Sequence, residues 1–144
     1  MFQLNDLKFD ISGSDICVSS TSDEKLGCYL EIETVEIERD DEVWAPTLSH
    51  QGLLFNAGSL QDLVNTTHYW KGGYDKKSDN PHPEIGMLYV FGHENTRENR
   101  ITFGEIKGNE IEFSWSGIAD VDWDEEYGQN VSFKVSTFLK IKNV

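Results

Sequence analysis

From Ile111 to Trp123 the apolar residues fall on every second position: Ile111, Phe113, Trp115, Gly117, Ala119, Val121 and Trp123. Between them stand Glu112, Ser114, Ser116, Ile118, Asp120 and Asp122, so the period of two is broken only at Ile118. A strand with one buried and one wetted face produces this pattern. Val131, Phe133, Val135, Leu139 and Ile141 repeat it against Ser132, Lys134, Ser136, Lys140 and Lys142. The polar link between the two runs, residues 124–130, contains Gly128 and predicts a hairpin. Ahead of them, residues 101–106 turn through Lys107-Gly108-Asn109 into Ile111, which makes three consecutive strands a meander. Gly117 marks a bend or bulge where a long strand leaves one sheet for another.

The rest of the chain is less regular. Met87, Leu88, Tyr89, Val90 and Phe91, between Gly86 and Gly92, are apolar on both faces and predict a central strand. Phe2 and Leu4 are out of phase with Leu7, Phe9 and Ile11, which predicts a bulge or turn at Asn5-Asp6. Cys28, Leu30 and Ile32 are out of phase with Val35 and Ile37, and a bulge near Glu33-Thr34 would keep both sets inward. Residues 59–64 predict one or two helical turns, with Ser59 at the N-cap and Asp62 three residues on. Residues 66–83, with Gly72, Gly73, Asn80, Pro81 and Pro83, read as a long loop. Together these signals predict an all-β, mainly antiparallel β-sandwich of seven or eight strands with one short helix, a single domain over residues 1–144. A β-barrel is the alternative.

Size and composition agree with that expectation. A chain of 144 residues buries roughly 68–70% of its unfolded surface, and 38% apolar residues can fill the core without a metal or disulfide. The 26 acids and 12 bases leave a net charge of −14, which disfavours gripping nucleic acid or an anionic membrane. No apolar stretch approaches the ~18 residues of a membrane span, and Met1-Phe2-Gln3-Leu4-Asn5-Asp6 lacks the features of a signal peptide. The expected compartment is the cytoplasm, where Cys17 and Cys28 would remain two buried thiols.

Candidate chemistry is sparse. Residues 120–126 open like a calcium loop, but Glu125 stands where the turn needs glycine and Val131 where the bidentate Glu belongs. His50, His68, His82 and His93 have no zinc-ligand spacing, no G-x-S-x-G occurs, and Lys71-Gly72-Gly73 lacks the phosphate-loop spacing. No catalytic residue, metal or cofactor is expected. Trp115 and Trp123 are in phase with the core. Tyr69, Trp70 and Tyr74 fall in the expected loop and are candidates for a contact surface. The acids form two clusters: Glu31, Glu33, Glu36, Glu38, Asp40, Asp41 and Glu42, opposed locally by Arg39, and Asp120, Asp122, Asp124, Glu125 and Glu126. Such crowding repels itself and would be relieved by a basic partner.

A small acidic β-domain of this kind resembles the immunity proteins of bacterial toxin–antitoxin competition systems, those of contact-dependent growth inhibition in particular. The resemblance spans the whole chain and is one of profile, so no family site is carried over residue by residue. It implies a cytoplasmic protein that is not an enzyme and binds neither nucleic acid nor membrane. Its partner would be a basic toxin domain such as a nuclease, held by a monomer in a 1:1 complex that occludes the toxin's active site. Asp120, Asp122, Asp124, Glu125 and Glu126 are the expected phosphate surrogates, with Tyr69, Trp70 and Tyr74 as apolar anchors. Two other classes stay open. A domain binding a small molecule or carbohydrate would show a deep pocket lined by those aromatics, and a small hydrolase would bring His68 or His93 to an acid in a cleft.

Overall fold

The computed structural model describes residues 1–20, 24–39, 41–72, 74–75, 80–81, 87–89, 93–121 and 128–143. In chain order its strands are β1 (Phe2–Leu4), β2 (Leu7–Phe9), β3 (Ile11–Ser20), β4 (Leu26–Thr34), β5 (Ile37–Arg39), β6 (Glu42–Trp44) and β7 (Thr47–Phe55). There follow β8 (Thr66–Gly72), β9 (Tyr74–Asp75), β10 (Asn80–Pro81), β11 (Met87–Tyr89), β12 (His93–Lys107), β13 (Glu110–Val121) and β14 (Gly128–Asn143). The chain is all-β. Among the described residues seven strands have seven residues or more, close to the expected number, and seven shorter ones are added to them.

The meander is as expected. β12 turns at Gly108, whose φ of +63° suits glycine, into β13, and β13 pairs with β14 from Glu110↔Lys140 to Val121↔Gly128. β8 lies on the other edge of β12, β1 pairs the middle of β14, and β2 pairs β1. Asn5, at φ 51°, makes the tight turn that changes the phase between β1 and β2, and Phe2 and Phe9 meet across it edge to face at 6.1 Å. These six strands form one layer. The other runs β3–β4–β7–β11 and places β11 between β7 and β12, central as expected.

Two short joints connect the layers. Residues 140–143 of β14 run parallel to residues 15–18 of β3, and β11 pairs residues 93–95 of β12. The sheet thus folds over on itself in two layers and does not close into a barrel. The sequence predicted a mainly antiparallel sheet; the parallel β14–β3 pairing makes it mixed. Between the layers Phe55 of β7 meets Phe103 of β12 at 5.7 Å, and His50 of β7 lies 6.4 Å from the ring of Trp115. Ile16, Leu30, Ile32, Leu48, Ile101, Phe103, Trp115, Val135 and Leu139 are fully buried there. Each such side chain contributes about 1.5–3 kcal/mol on burial, against about 0.2–1 kcal/mol for a cross-strand pair. Burial therefore sets the register.

Three expectations need correction. Residues 66–72 are strand β8, not loop: they carry β-favouring Thr, Tyr and Trp, but His68 occupies the inward position and hides the apolar alternation. The phase change near Glu33-Thr34 is a strand end. Thr34 donates to the Pro46 carbonyl at 2.7 Å, Val35 is exposed, and Ile37 starts the separate β5–β6 hairpin. The bulge expected at Gly117 lies opposite it, on β12, where the pairing slips between Arg97 and Arg100. Glu98 in that bulge has φ 52°, and the buried Asn99 accepts the indole N–H of Trp115 at 2.9 Å, so that this fully buried donor is satisfied. The predicted helical turn is a 3-10 helix, Leu60–Leu63; Asp62 accepts the N–H groups of Gly58 and Ser59 at 3.0 and 3.3 Å.

Gly117 has a different purpose. A Cβ there would stand 2.7 Å from a ring carbon of Phe133, inside van der Waals contact with a buried aromatic. Gly117→Ala is expected to destabilise the fold by about 1–3 kcal/mol through overpacking, read as a lowered urea midpoint. Gly52→Ala, with nothing within 4 Å of the new methyl, should change stability by less than about 0.5 kcal/mol.

Cys17 and Cys28 occupy adjoining strands but opposite faces: Cys17 pairs with Tyr29, while Cys28 pairs with Val18. They are free thiols, and burial pushes Cys28 up to about 12. A thiol reagent added to the native protein should modify the half-buried Cys17 first, and Cys28 only on unfolding; equal rates would contradict this placement.

Candidate functional site

Alternation along β3 and β4 turns Ile16, Cys28, Leu30 and Ile32 into the core and Asp15, Tyr29, Glu31 and Glu33 outward. Register then decides which of the outward groups meet. Asp15 stands directly across from Glu31, and Gly13 across from Glu33. On its other side β4 meets β7, where Ser49 and Thr47 face the same two glutamates and offer hydroxyls in place of charge. Three carboxylates are thereby held on a two-strand surface with rigid backbone.

Their electrostatics follow from that crowding. A hydrogen bond with the Glu31 carboxyl, then the Glu31 charge, then desolvation and last the field of Asp15 raise the pKa of Glu33 above the usual glutamate value. The Tyr29 hydroxyl donates to Glu31 at 3.1 Å; desolvation and that acceptor raise its pKa. Among the described residues Lys142 of β14 pairs with the cluster, 3.2 Å from Asp15; it is more than half exposed, so the pair is worth at most about 1 kcal/mol. Beyond β4 the β5–β6 hairpin carries Glu36, Glu38, Asp41 and Glu42 on exposed positions, and the Arg39 guanidinium sits 5.8 Å over the buried Trp44 ring. Asp40 lies outside the described residues. Of the first acidic cluster, Glu31 and Glu33 thus stand with Asp15 on the β3–β4 face, while Glu36, Glu38, Asp41 and Glu42 lie in or beside the separate β5–β6 hairpin.

The second cluster is placed only at its start. Asp120 belongs to the last turn of pairing in β13, while Asp122, Asp124, Glu125 and Glu126 lie outside the described residues, as do Trp123 and Tyr127. Tyr69 and Trp70 belong to β8 and Tyr74 to β9, so none of the three sits in the long loop expected there. Tyr69 is 63% exposed and donates its hydroxyl to Glu98, which raises its pKa.

Signals of other chemistry resolve into structure. His68 faces inward between Phe55 and Phe103, at 4.6 and 6.0 Å, with Thr66 Oγ1 2.8 Å from Nε2; burial lowers its pKa. His50 is buried, and its Nδ1 accepts the Gly52 N–H at 3.1 Å. His93 starts β12, and His82 lies outside the described residues. The grooves formed by described residues, of about 450 to 700 Å³, are open; Tyr69 lines none of them. Among the described residues no three of His, Cys, Asp and Glu are placed to hold a metal ion, and no helix is long and apolar enough to cross a membrane. No family model, curated protein or solved structure matches the chain.

Sequence reasoning missed Asp15 and Tyr29. Residues 11–20 mix serine, glycine and cysteine with few apolar residues, so the outward phase of Asp15 becomes legible only through its pairing with Glu31.

The buried His68 couples stability to acidity. Its folded pKa lies below the ordinary 6.5, so the unfolded chain binds the proton first as pH falls. Stability should therefore be full above about pH 6.5 and decline as the pH drops below it. His68→Phe, which keeps a ring between Phe55 and Phe103, should flatten that part of the urea-midpoint profile between pH 7.5 and 5.5; an unchanged slope would exclude His68 as the cause.

Proposed function

We propose that this chain is an immunity protein, which neutralises a basic toxin domain, a nuclease being the fitting class, by covering its active site in a 1:1 complex. The observation that carries the reading is the set of Asp15, Glu31 and Glu33 on the outer face of β3 and β4, close enough to raise the pKa of Glu33. Carboxylates held at this density repel each other, and strand backbone prevents them from moving apart. A nuclease must present Lys, Arg or His to phosphate, and those cations relieve the repulsion on docking. The rigid sheet limits the ordering entropy lost on binding. In this reading the acids at 120–126 extend the docking surface, Tyr69, Trp70 and Tyr74 supply apolar contact, and the chain performs no catalysis and needs no cofactor.

The test is association with the toxin domain encoded beside this protein. A D15K/E31K/E33K variant should lower the association rate at low salt by at least about tenfold, because steering contributes 10–10³ in rate. D120K/D122K/D124K/E125K/E126K, measured in parallel, reports the contribution of the second cluster. If both variants bind as the parent does, with folding intact by urea titration, the acidic docking surface is refuted. Binding of the parent that leaves toxin activity intact would refute the inhibitory role.

A further inference from the structure

The opposite layer carries charge of the other sign in an ordered row. Register places Tyr69 across from Arg100, Arg100 across from Ser116, Ser116 across from Lys134, Lys134 across from Gln3, and Gln3 across from Lys8. These residues cross β8, β12, β13, β14, β1 and β2 in one line on the outer face. Tyr69, Arg100, Lys134 and Lys8 are exposed, and Ser116 and Gln3 between them are half-buried. Cations therefore stand on every second strand, separated by small uncharged groups. Glu98, which lines the groove of about 510 Å³ beside Ser116 and Lys134, is engaged by the Tyr69 hydroxyl. Among the described residues none of the three cations is within ion-pairing distance of a carboxylate.

That arrangement is unexpected in a chain of 26 acids and 12 bases, because opposite charges placed across strands stabilise a sheet and acids are in excess. We propose that Arg100, Lys134 and Lys8 form a docking row for an acidic α-helix of a partner protein, lying across the strands with Tyr69 at one end. The spacing favours a helix. Two strand intervals are about 9.6 Å, and seven helical residues rise about 10.5 Å, so carboxylates at seven-residue intervals meet successive cations. A bound strand repeats a face at about 6.7 or 13 Å, out of step with the row. A nucleic-acid backbone, with its dense charge, is opposed by the net −14 of the whole chain. The row is separate from the carboxylates of β3 and β4, and it stands whether or not the inhibitory reading does.

The full chain can be tested without any toxin, by fluorescence anisotropy at low salt. The probe is a labelled helical peptide of about fifteen to twenty residues with Glu at seven-residue intervals. Comparison probes are the same peptide with Gln at those positions and an oligothymidylate of similar length. The Glu peptide should bind best, lose affinity with added salt, and lose at least tenfold in affinity to the K8E/R100E/K134E variant. K107E/K140E, on the same layer but off the row, should bind as the parent does. Equal affinity of the Gln peptide, retained binding by the triple variant, no peptide binding at all, or tighter binding of the oligothymidylate would each overturn the proposal. Urea unfolding of both variants separates lost binding from lost fold.

Discussion

The architecture depends on one strand that satisfies three neighbours. β14 gives one edge wholly to β13 and divides the other between β1, near its middle, and β3, at its end. Its inward side chains Val131, Phe133, Val135 and Leu139 are buried along the same length. The parallel contact with β3 is four residues long, yet among the described residues it is one of two places where the layers are hydrogen-bonded to each other. Without it the β3–β4–β7 layer would expose Ile16, Leu30 and Leu48, and hydrophobic burial would lose its second wall.

The two layers are chemically unlike on their outer faces. The β3–β4 face and the β5–β6 hairpin collect carboxylates, whereas the six-stranded face carries a row of cations among hydroxyls and an amide. Net charge describes neither. A molecule polarised in this way orients in the field of an approaching charged partner, so steering favours one face over the other before contact. The carboxylates of β3 and β4 and the cation row stand on different layers, and Tyr69 of β8 is the residue that both proposed surfaces share.

How much of this could be read from the chain depends on how strongly burial wrote the pattern. β13 and β14 alternate almost without error because both contribute one whole face to the core, and their pairing was legible from that alternation; residues 122–127 between them lie outside the described residues, and 128–130, expected in the link, belong to β14. β8 was not, since its inward position holds His68 instead of an aliphatic residue and Thr66 is half-buried. At Gly117 the sequence pointed to the right place with the wrong cause: the glycine admits the Phe133 ring, and the bulge belongs to the strand opposite. The acidic surface was legible as composition over residues 31–42, but the addition of Asp15 and the cation row depend on register between distant segments. Local patterns carry no such information.

The pairing of β14 with β3 joins residues that are made about 125 positions apart, Lys140 with Asp15 among them. During synthesis the β3–β4 hairpin can form early, but one of its edges must wait for a strand from the far side of the chain. Contacts of such long sequence separation carry a large loop-closure cost and slow the search for the native state. Until they form, β3 presents an unpaired edge, and the charge of Asp15 on that strand disfavours nascent chains joining edge to edge.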